Sequence, residues 1–172
     1  MIHNWTGFRR EVAEYMAQHN IPEDDFRFLG IYEWQNVYGK VLEHFVDGQY
    51  ARDCGLHWAN IENGFWKDIE RIYDFAYHKE DAWKWLKRLP EIVPCEKVYL
   101  FLEDDGWQRS KYWIAECRPN IVHLVINDTY LSADYYITDK KFNWLITENH
   151  HEIVHIIGIG LDMEVIKDIC GS

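Results

Sequence analysis

The residues with the most recognisable catalytic spacing are His151, Glu152 and His155, which read H-E-x-x-H within the segment HEIVH. On an α-helix, residues four apart stand about 6 Å apart along the axis on the same face, so two imidazoles can share one zinc ion. The glutamate between them is then placed to take a proton from a metal-bound water. The pattern therefore indicates a zinc-dependent hydrolase, with Glu152 as catalytic base and the two histidines as metal ligands.

Two features of the surrounding sequence weigh against this interpretation. The longer form of the motif, H-E-x-x-H-x-x-G-x-x-H, lacks its third histidine, because Leu161 stands there. The segment EIVHIIGI is also β-branched, which is typical of a strand. On a strand, residues four apart are roughly 13 Å apart, too far to share a zinc bound at about 2 Å from each nitrogen. We therefore predict no cofactor and keep the zinc hydrolase as the alternative.

Two polar clusters are candidate binding surfaces. Residues 148–150 lie between two strongly apolar segments, where a tight turn projects polar side chains, and histidine can donate or accept a hydrogen bond near neutral pH. Residues 103–105 form an acidic turn with an aromatic ring close by, and such rings act as interface anchors. A plain solvated turn is the alternative for each cluster. The predicted binding residues are Glu148, Asn149, His150, Trp107, Glu103, Asp104 and Asp105.

The charge of the chain favours one class of partner. It has 29 Asp and Glu against 18 Lys and Arg in 172 residues, a formal net charge of −11. Nucleic acid and anionic membranes would be repelled, because binding to them needs Lys and Arg. A basic protein would be attracted and its encounter accelerated. The alternative is that the charge serves solubility alone.

The elements that must position these residues follow from the apolar periodicity. Before Pro94 the spacing is helical and predicts four helices, and the segment FRFLGIYEW reads as a strand or a turn. The helices fall after Thr6, from Val37 to Phe45, from Ile61 to Ala76 and from Trp83 to Leu89. After Pro94 the period changes to 2, which is typical of strands. The strands are EKVYLFLE, KYWIAEC, IVHLVIND, DYYITD, NWLITE and HEIVHIIG.

Short links between these strands favour an antiparallel meander, and Leu161, Val165 and Ile169 predict a short closing helix. The predicted fold is one α+β domain over residues 1–172. Its N-terminal helices pack on a C-terminal, mainly antiparallel sheet of five or six strands. No apolar run approaches the roughly 20 residues of a membrane helix, and the start lacks the apolar stretch of a signal peptide. The four cysteines form no CxxC pair and read as reduced thiols, so we expect a cytoplasmic protein.

The segment DYYITDKKFNWLITENHHEIVHIIG also carries a family resemblance. It resembles the C-terminal part of a family of small, acidic, uncharacterised bacterial proteins, itself similar to the immunity proteins that neutralise bacterial toxins. The likeness covers about residues 95–160 and rests on Tyr135, Tyr136, Trp144, Glu148, Asn149 and His150. It implies a binding protein without chemistry of its own, and no catalytic residue carries over from it. The function expected is therefore that of a non-enzymatic cytoplasmic protein, such as an immunity protein, that binds a basic toxin or another basic partner. The partner's identity and the oligomeric state stay open.

Overall fold

A computed structural model describes most of the chain. The described residues are 7–56, 61, 64, 66–67, 71–76, 82–103, 112–128, 134–149 and 153–171. The strands found among them are β1 (Phe26–Phe28), β2 (Arg71–Ala76), β3 (Val98–Glu103), β4 (Tyr112–Cys117), β5 (Tyr135–Asp139), β6 (Trp144–Glu148) and β7 (Ile153–Gly158). The helices are α1 (Gly7–Gln18), α2 (Ile31–Phe45), α3 (Gly48–Asp53), α4 (Leu89–Ile92), α5 (Pro119–Asp128) and α6 (Met163–Gly171), with a 3₁₀ helix at Ala82–Arg88.

The described strands form one sheet in the order β1-β4-β3-β5-β6-β7-β2, and every neighbouring pair is antiparallel. Strands β5, β6 and β7 follow one another as the predicted meander. Between β4 and β5 the chain instead crosses over β3 through helix α5. The two edge strands, β1 and β2, come from the N-terminal half, so the sheet draws on both halves of the sequence.

The crossover helix corrects one prediction. The segment IVHLVIND was predicted as a strand, but it lies in α5, which begins at Pro119. The fixed φ of proline suits the first turn of a helix. Ile121, Val122, Val125 and Ile126 are buried, at spacings that place them on one side of the helix. The β-branched composition suggested a strand, but burying this stripe against the sheet favours the helix.

A second correction concerns the predicted helix from Ile61 to Ala76. Residues 71–76 are strand β2, paired antiparallel with β7 at the edge of the sheet. A strand makes its backbone hydrogen bonds with a neighbouring strand. The neighbour of β2 lies about 80 residues later in the chain, so the local periodicity of residues 71–76 does not reveal the pairing. The predicted helix from Trp83 to Leu89 is a 3₁₀ helix that continues into α4.

The sheet is covered on both faces, each with its own apolar core. On one face α1, the 3₁₀ helix, α4, α5 and α6 pack against alternate strand residues such as Leu100 and Ile146. On the other face α2 packs against the intervening residues, such as Phe101 and Leu145. The α+β fold, five strands after Pro94 and the closing helix α6 are confirmed, although the helices are not confined to the N-terminal half. Among the helices in the described part of the chain, none has the length and apolarity needed to cross a membrane.

Candidate functional site

The sheet has two ends, and its polar residues divide between them. We call the end where β3 and β6 begin and β5 and β7 end the cavity end. The other end, where β3 and β6 finish, is the Glu148 end. Because neighbouring strands are antiparallel, β3 and β6, on either side of β5, finish at the same end. Three of the binding residues predicted from the sequence, Glu103, Glu148 and Asn149, lie at the Glu148 end.

Glu148, the last residue of β6, is buried rather than projecting from the turn. The hydroxyl of Tyr135 donates a hydrogen bond to its Oε2. Trp85 Nε1 donates to the same oxygen at 3.4 Å, from the 3₁₀ helix that covers this face. Burial, together with the charge of Glu148, raises the pKa of Tyr135 well above its usual value of 10.0. The hydroxyl therefore stays protonated and keeps donating, which makes Glu148 a structural carboxylate of the core.

The other predicted binding residues have mixed outcomes. Asn149 is half-buried and closes the turn after β6: its backbone N–H donates to the Ile153 carbonyl at 3.3 Å, and its Oδ1 accepts from Ile153 N–H at 3.2 Å. Glu103, at the end of β3, is 8% exposed and lies opposite Tyr112. The remaining four lie outside the described residues: Asp104, Asp105, Trp107 and His150.

One of the two possible zinc ligands, His155, lies in a strand rather than in a helix. His155 lies in strand β7, half-buried, between Thr147 of β6 and Asp74 of β2. The zinc motif needs two histidines one helical turn apart, and a strand at His155 does not provide that spacing. His151 and Glu152 are outside the described residues. Within the part of the chain that the structure describes, no group of three His, Cys, Asp or Glu side chains could hold a metal ion.

The cavity end holds a feature that sequence reasoning missed. A cavity of about 790 Å³ lies between the start of β3, the β5–β6 turn and the segment after β7. Its walls are formed by residues 94–97, 139–141, 143–144, 159–160 and Asp24. This volume is within the usual range for small-molecule sites, about 300 to 1,000 Å³. No local signal marked it, because its walls are drawn from segments far apart in the chain.

Beside the cavity, Glu116 of β4 is the centre of a cluster of charges. Lys140 Nζ donates to its Oε2 at 2.6 Å, while Arg27 Nε and Lys97 Nζ each lie 3.6 Å from Oε1. Burial alone would raise the pKa of Glu116, but the Lys140 hydrogen bond and the surrounding cations outweigh it and lower the pKa. Arg27 also binds both carboxylate oxygens of Glu33 at 3.0 Å. The carboxylate thus stays ionised and holds two of the cavity's lysines.

The β5–β6 turn that carries Lys140 and Lys141 is fixed by its own hydrogen bonds. Both carboxylate oxygens of the buried Asp139 accept hydrogen bonds at 2.7 Å, one from the backbone N–H of Asn143 and one from its Nδ2. Gly158 packs directly against this turn with a φ of 110°, and a Cβ there would lie 2.2 Å from the Asn143 carbonyl oxygen. Only glycine fits such a contact. The turn is therefore held from both sides and presents its lysines in a defined place.

Cys95 is the thiol of the cavity wall. Burial, with the charge of Asp139, raises its pKa to about 11. A thiol with such a pKa is almost fully protonated at neutral pH and is a poor nucleophile. Cys117 is fully buried, and burial raises its pKa even further. Neither thiol is activated for covalent catalysis.

Fold and site together define an α+β protein with an antiparallel sheet covered on both faces and a polar cavity at one sheet end. Residues 4–167 match the model of a family described as "Family of unknown function (DUF6756)". The chain belongs to this family, because the match covers nearly the whole length of the chain. Neither the curated proteins nor the solved structures contain a match.

Proposed function

We propose that this chain is a non-enzymatic binding protein of the immunity type, which holds a basic protein partner such as a toxin. The observation that carries the proposal is the unequal pairing of its surface charges. Many cations are committed to ion pairs within the chain: Arg10, Arg27, Arg88, Lys97, Arg118, Lys140 and Lys167.

The acidic groups exceed what these cations can neutralise. Glu11, Glu23 and Glu43 are exposed and form no ion pair with the described residues. Together with the net charge of −11, such carboxylates create a negative potential that attracts a basic protein and raises its association rate. In this proposal the protein acts in the cytoplasm, where its thiols stay reduced.

The partner contact is proposed at the Glu148 end. Glu103 and Glu148 finish strands β3 and β6, which are separated in the sheet only by β5. In the chain, the clusters 103–107 and 148–150, about 45 residues apart in sequence, therefore follow nearby strand ends. Because both glutamates are buried, the contacts in this proposal are supplied by Asp104, Asp105, Trp107 and His150.

The test of the function uses the genes next to the one that encodes this chain. Each neighbouring product is expressed in a bacterial host with and without the chain, and growth is followed. We expect one of them to be a basic protein that arrests growth, and the chain to restore growth by binding it. If no neighbouring product is toxic or binds the purified chain, the proposal is wrong.

The test of the mechanism is a salt series with that partner. The Debye length falls from about 10 Å at 0.1 M to about 3 Å at 1 M ionic strength, so association should slow strongly while dissociation changes less. The double variant D104N/D105N should slow association more than the matched control E11Q/E43Q, which removes the same charge elsewhere. Trp107→Ala should speed dissociation. An association rate indifferent to salt would leave the acidic charge without a role in binding.

A further inference from the structure

Three lysines line the cavity of this acidic protein: Lys97, Lys140 and Lys141. They come from two separate segments, the residue before β3 and the β5–β6 turn, so only the fold brings them together. Lys97 is the least exposed of the three. Its side chain is 20% accessible, against 48% for Lys140, and Lys141 is also exposed.

Among the described residues, these ammonium groups have fewer hydrogen-bond partners than they have N–H donors. Each ammonium has three N–H donors. Lys97 donates to Asp24 Oδ1 at 3.0 Å and lies 3.6 Å from Glu116, while Lys140 donates to Glu116 at 2.6 Å. Lys141 forms no hydrogen bond or ion pair with any residue that the structure describes. The cavity therefore has donors that a bound acceptor can satisfy.

The carboxylates of the cavity wall are already engaged. Asp24 is paired with Lys97, and Glu96 lies 3.3 Å from the guanidinium of Arg118. Both are at the rim, with side chains 81% and 72% exposed. Both oxygens of Asp139 accept hydrogen bonds from Asn143. The unused groups of the cavity are thus cationic donors, whereas the acids are partnered.

We propose that this cavity binds a small organic anion through a carboxylate or phosphate group held by Lys97, Lys140 and Lys141. Charge-assisted hydrogen bonds from lysine to such oxyanions are among the stronger polar contacts in proteins. The cavity volume of about 790 Å³ exceeds that of a bare ion, and Ile159, which is 58% exposed on its wall, offers apolar contact to the rest of the ligand. The cavity lies at the sheet end away from the proposed partner contact, so the test of anion binding is independent of the test of that function.

Cys95 gives the experiment a local readout, because it lies in the cavity wall. Alkylation of Cys95 in the full-length chain is followed by mass spectrometry at mildly alkaline pH, with the exposed Cys54 as internal control. The probes are citrate for carboxylates, glucose 6-phosphate for phosphate esters, and glucose as the uncharged control. We expect at least one anion to slow alkylation of Cys95 at millimolar concentration without affecting Cys54, and glucose to have no effect.

The matched variants are Lys141→Gln in the cavity and Lys167→Gln on α6, where Lys167 pairs only with the exposed Glu164 among the described residues. Lys141→Gln should weaken binding about tenfold, equivalent to about 1.4 kcal/mol, while Lys167→Gln leaves it unchanged. The choice between citrate and glucose 6-phosphate identifies the anion class. Three results would overturn the proposal: no protection by either anion, equal protection by glucose, or unchanged affinity in Lys141→Gln.

Discussion

The two ends of the sheet both bury a carboxylate, but they satisfy it differently. At the Glu148 end, the neutral donors Tyr135 and Trp85 bind Glu148 beneath the 3₁₀ helix. At the cavity end, Glu116 is surrounded by the cations Arg27, Lys97 and Lys140. The neutral donors add no charge to the buried carboxylate. The cations bring further N–H donors and keep part of their side chains exposed, and two of them, Lys97 and Lys140, line the cavity.

This difference shows why a buried acid does not by itself mark a binding surface. Burying a charge is costly unless hydrogen bonds or opposite charges compensate it. Glu148 was predicted as a contact residue, but it is buried and hydrogen-bonded within the core. Glu116 was not singled out from the sequence, yet it pairs with two lysines of the cavity wall. The partners around each carboxylate decide which role it has.

The largest effect is expected from Gly158→Ala at the cavity end. The new Cβ would lie 2.2 Å from the Asn143 carbonyl oxygen and 2.5 Å from the Trp144 Cα, both backbone atoms that cannot rotate away. Unfolding in urea should show a loss of about 4 kcal/mol. Gly160→Ala is the control: its φ is 86° but nothing lies within 4 Å of a Cβ there, so about 1 kcal/mol is expected. Equal losses would mean that the close contact does not limit stability.

The next effect is expected from Glu116→Gln, which leaves three cations around a neutral side chain. We expect a loss of about 2 kcal/mol at neutral pH, against less than about 0.5 kcal/mol for the exposed Glu164→Gln. Because the folded pKa of Glu116 lies below the ordinary 4.5, its contribution is complete above that pH and is lost as the pH falls through the folded pKa. Urea unfolding at several pH values should show the free energies of unfolding of the parent and Glu116→Gln converging below about pH 4.5. A constant difference down to strongly acidic pH would contradict this ionic role.

A smaller effect is expected at the Glu148 end from Tyr135→Phe. This change removes a donor from a buried carboxylate without altering the ring, and should cost about 1.5 kcal/mol in the free energy of unfolding. Tyr32→Phe is the matched control, since Tyr32 is 86% exposed and its hydroxyl is solvated. If both variants unfold at the same urea concentration as the parent, the hydroxyl of Tyr135 does not stabilise Glu148.

The smallest effect is expected from His155→Ala on metal content. We predict that the protein, purified without chelators, contains no stoichiometric zinc, because His155 lies in strand β7. Elemental analysis of the parent and the variant should give the same low zinc content. One tightly bound zinc per chain that disappears in His155→Ala would overturn this prediction and favour the zinc-hydrolase alternative.

Much of the fold was predictable because its signals are local. The period-2 pattern after Pro94 identified the five strands that the structure describes in that half, including Ile153–Gly158, and the spacing of Leu161, Val165 and Ile169 identified α6. Two elements were wrong for a common reason. The residues of α5 and β2 have ambiguous local patterns, and long-range packing decided between helix and strand.

The sequence by itself determined the fold class, the meander β5–β6–β7 and the surplus of negative charge, since each depends on neighbouring residues or on composition. Only the tertiary structure decided that Glu148 belongs to the core and that Asp24, Lys97, Lys140 and Ile159 surround one cavity. The physical reason is the strand order. The crossover through α5 places β3 between β4 and β5, so Glu116, Lys97 and Lys140 meet across three strands. Such contacts depend on how distant strands pair, which local spacing does not encode.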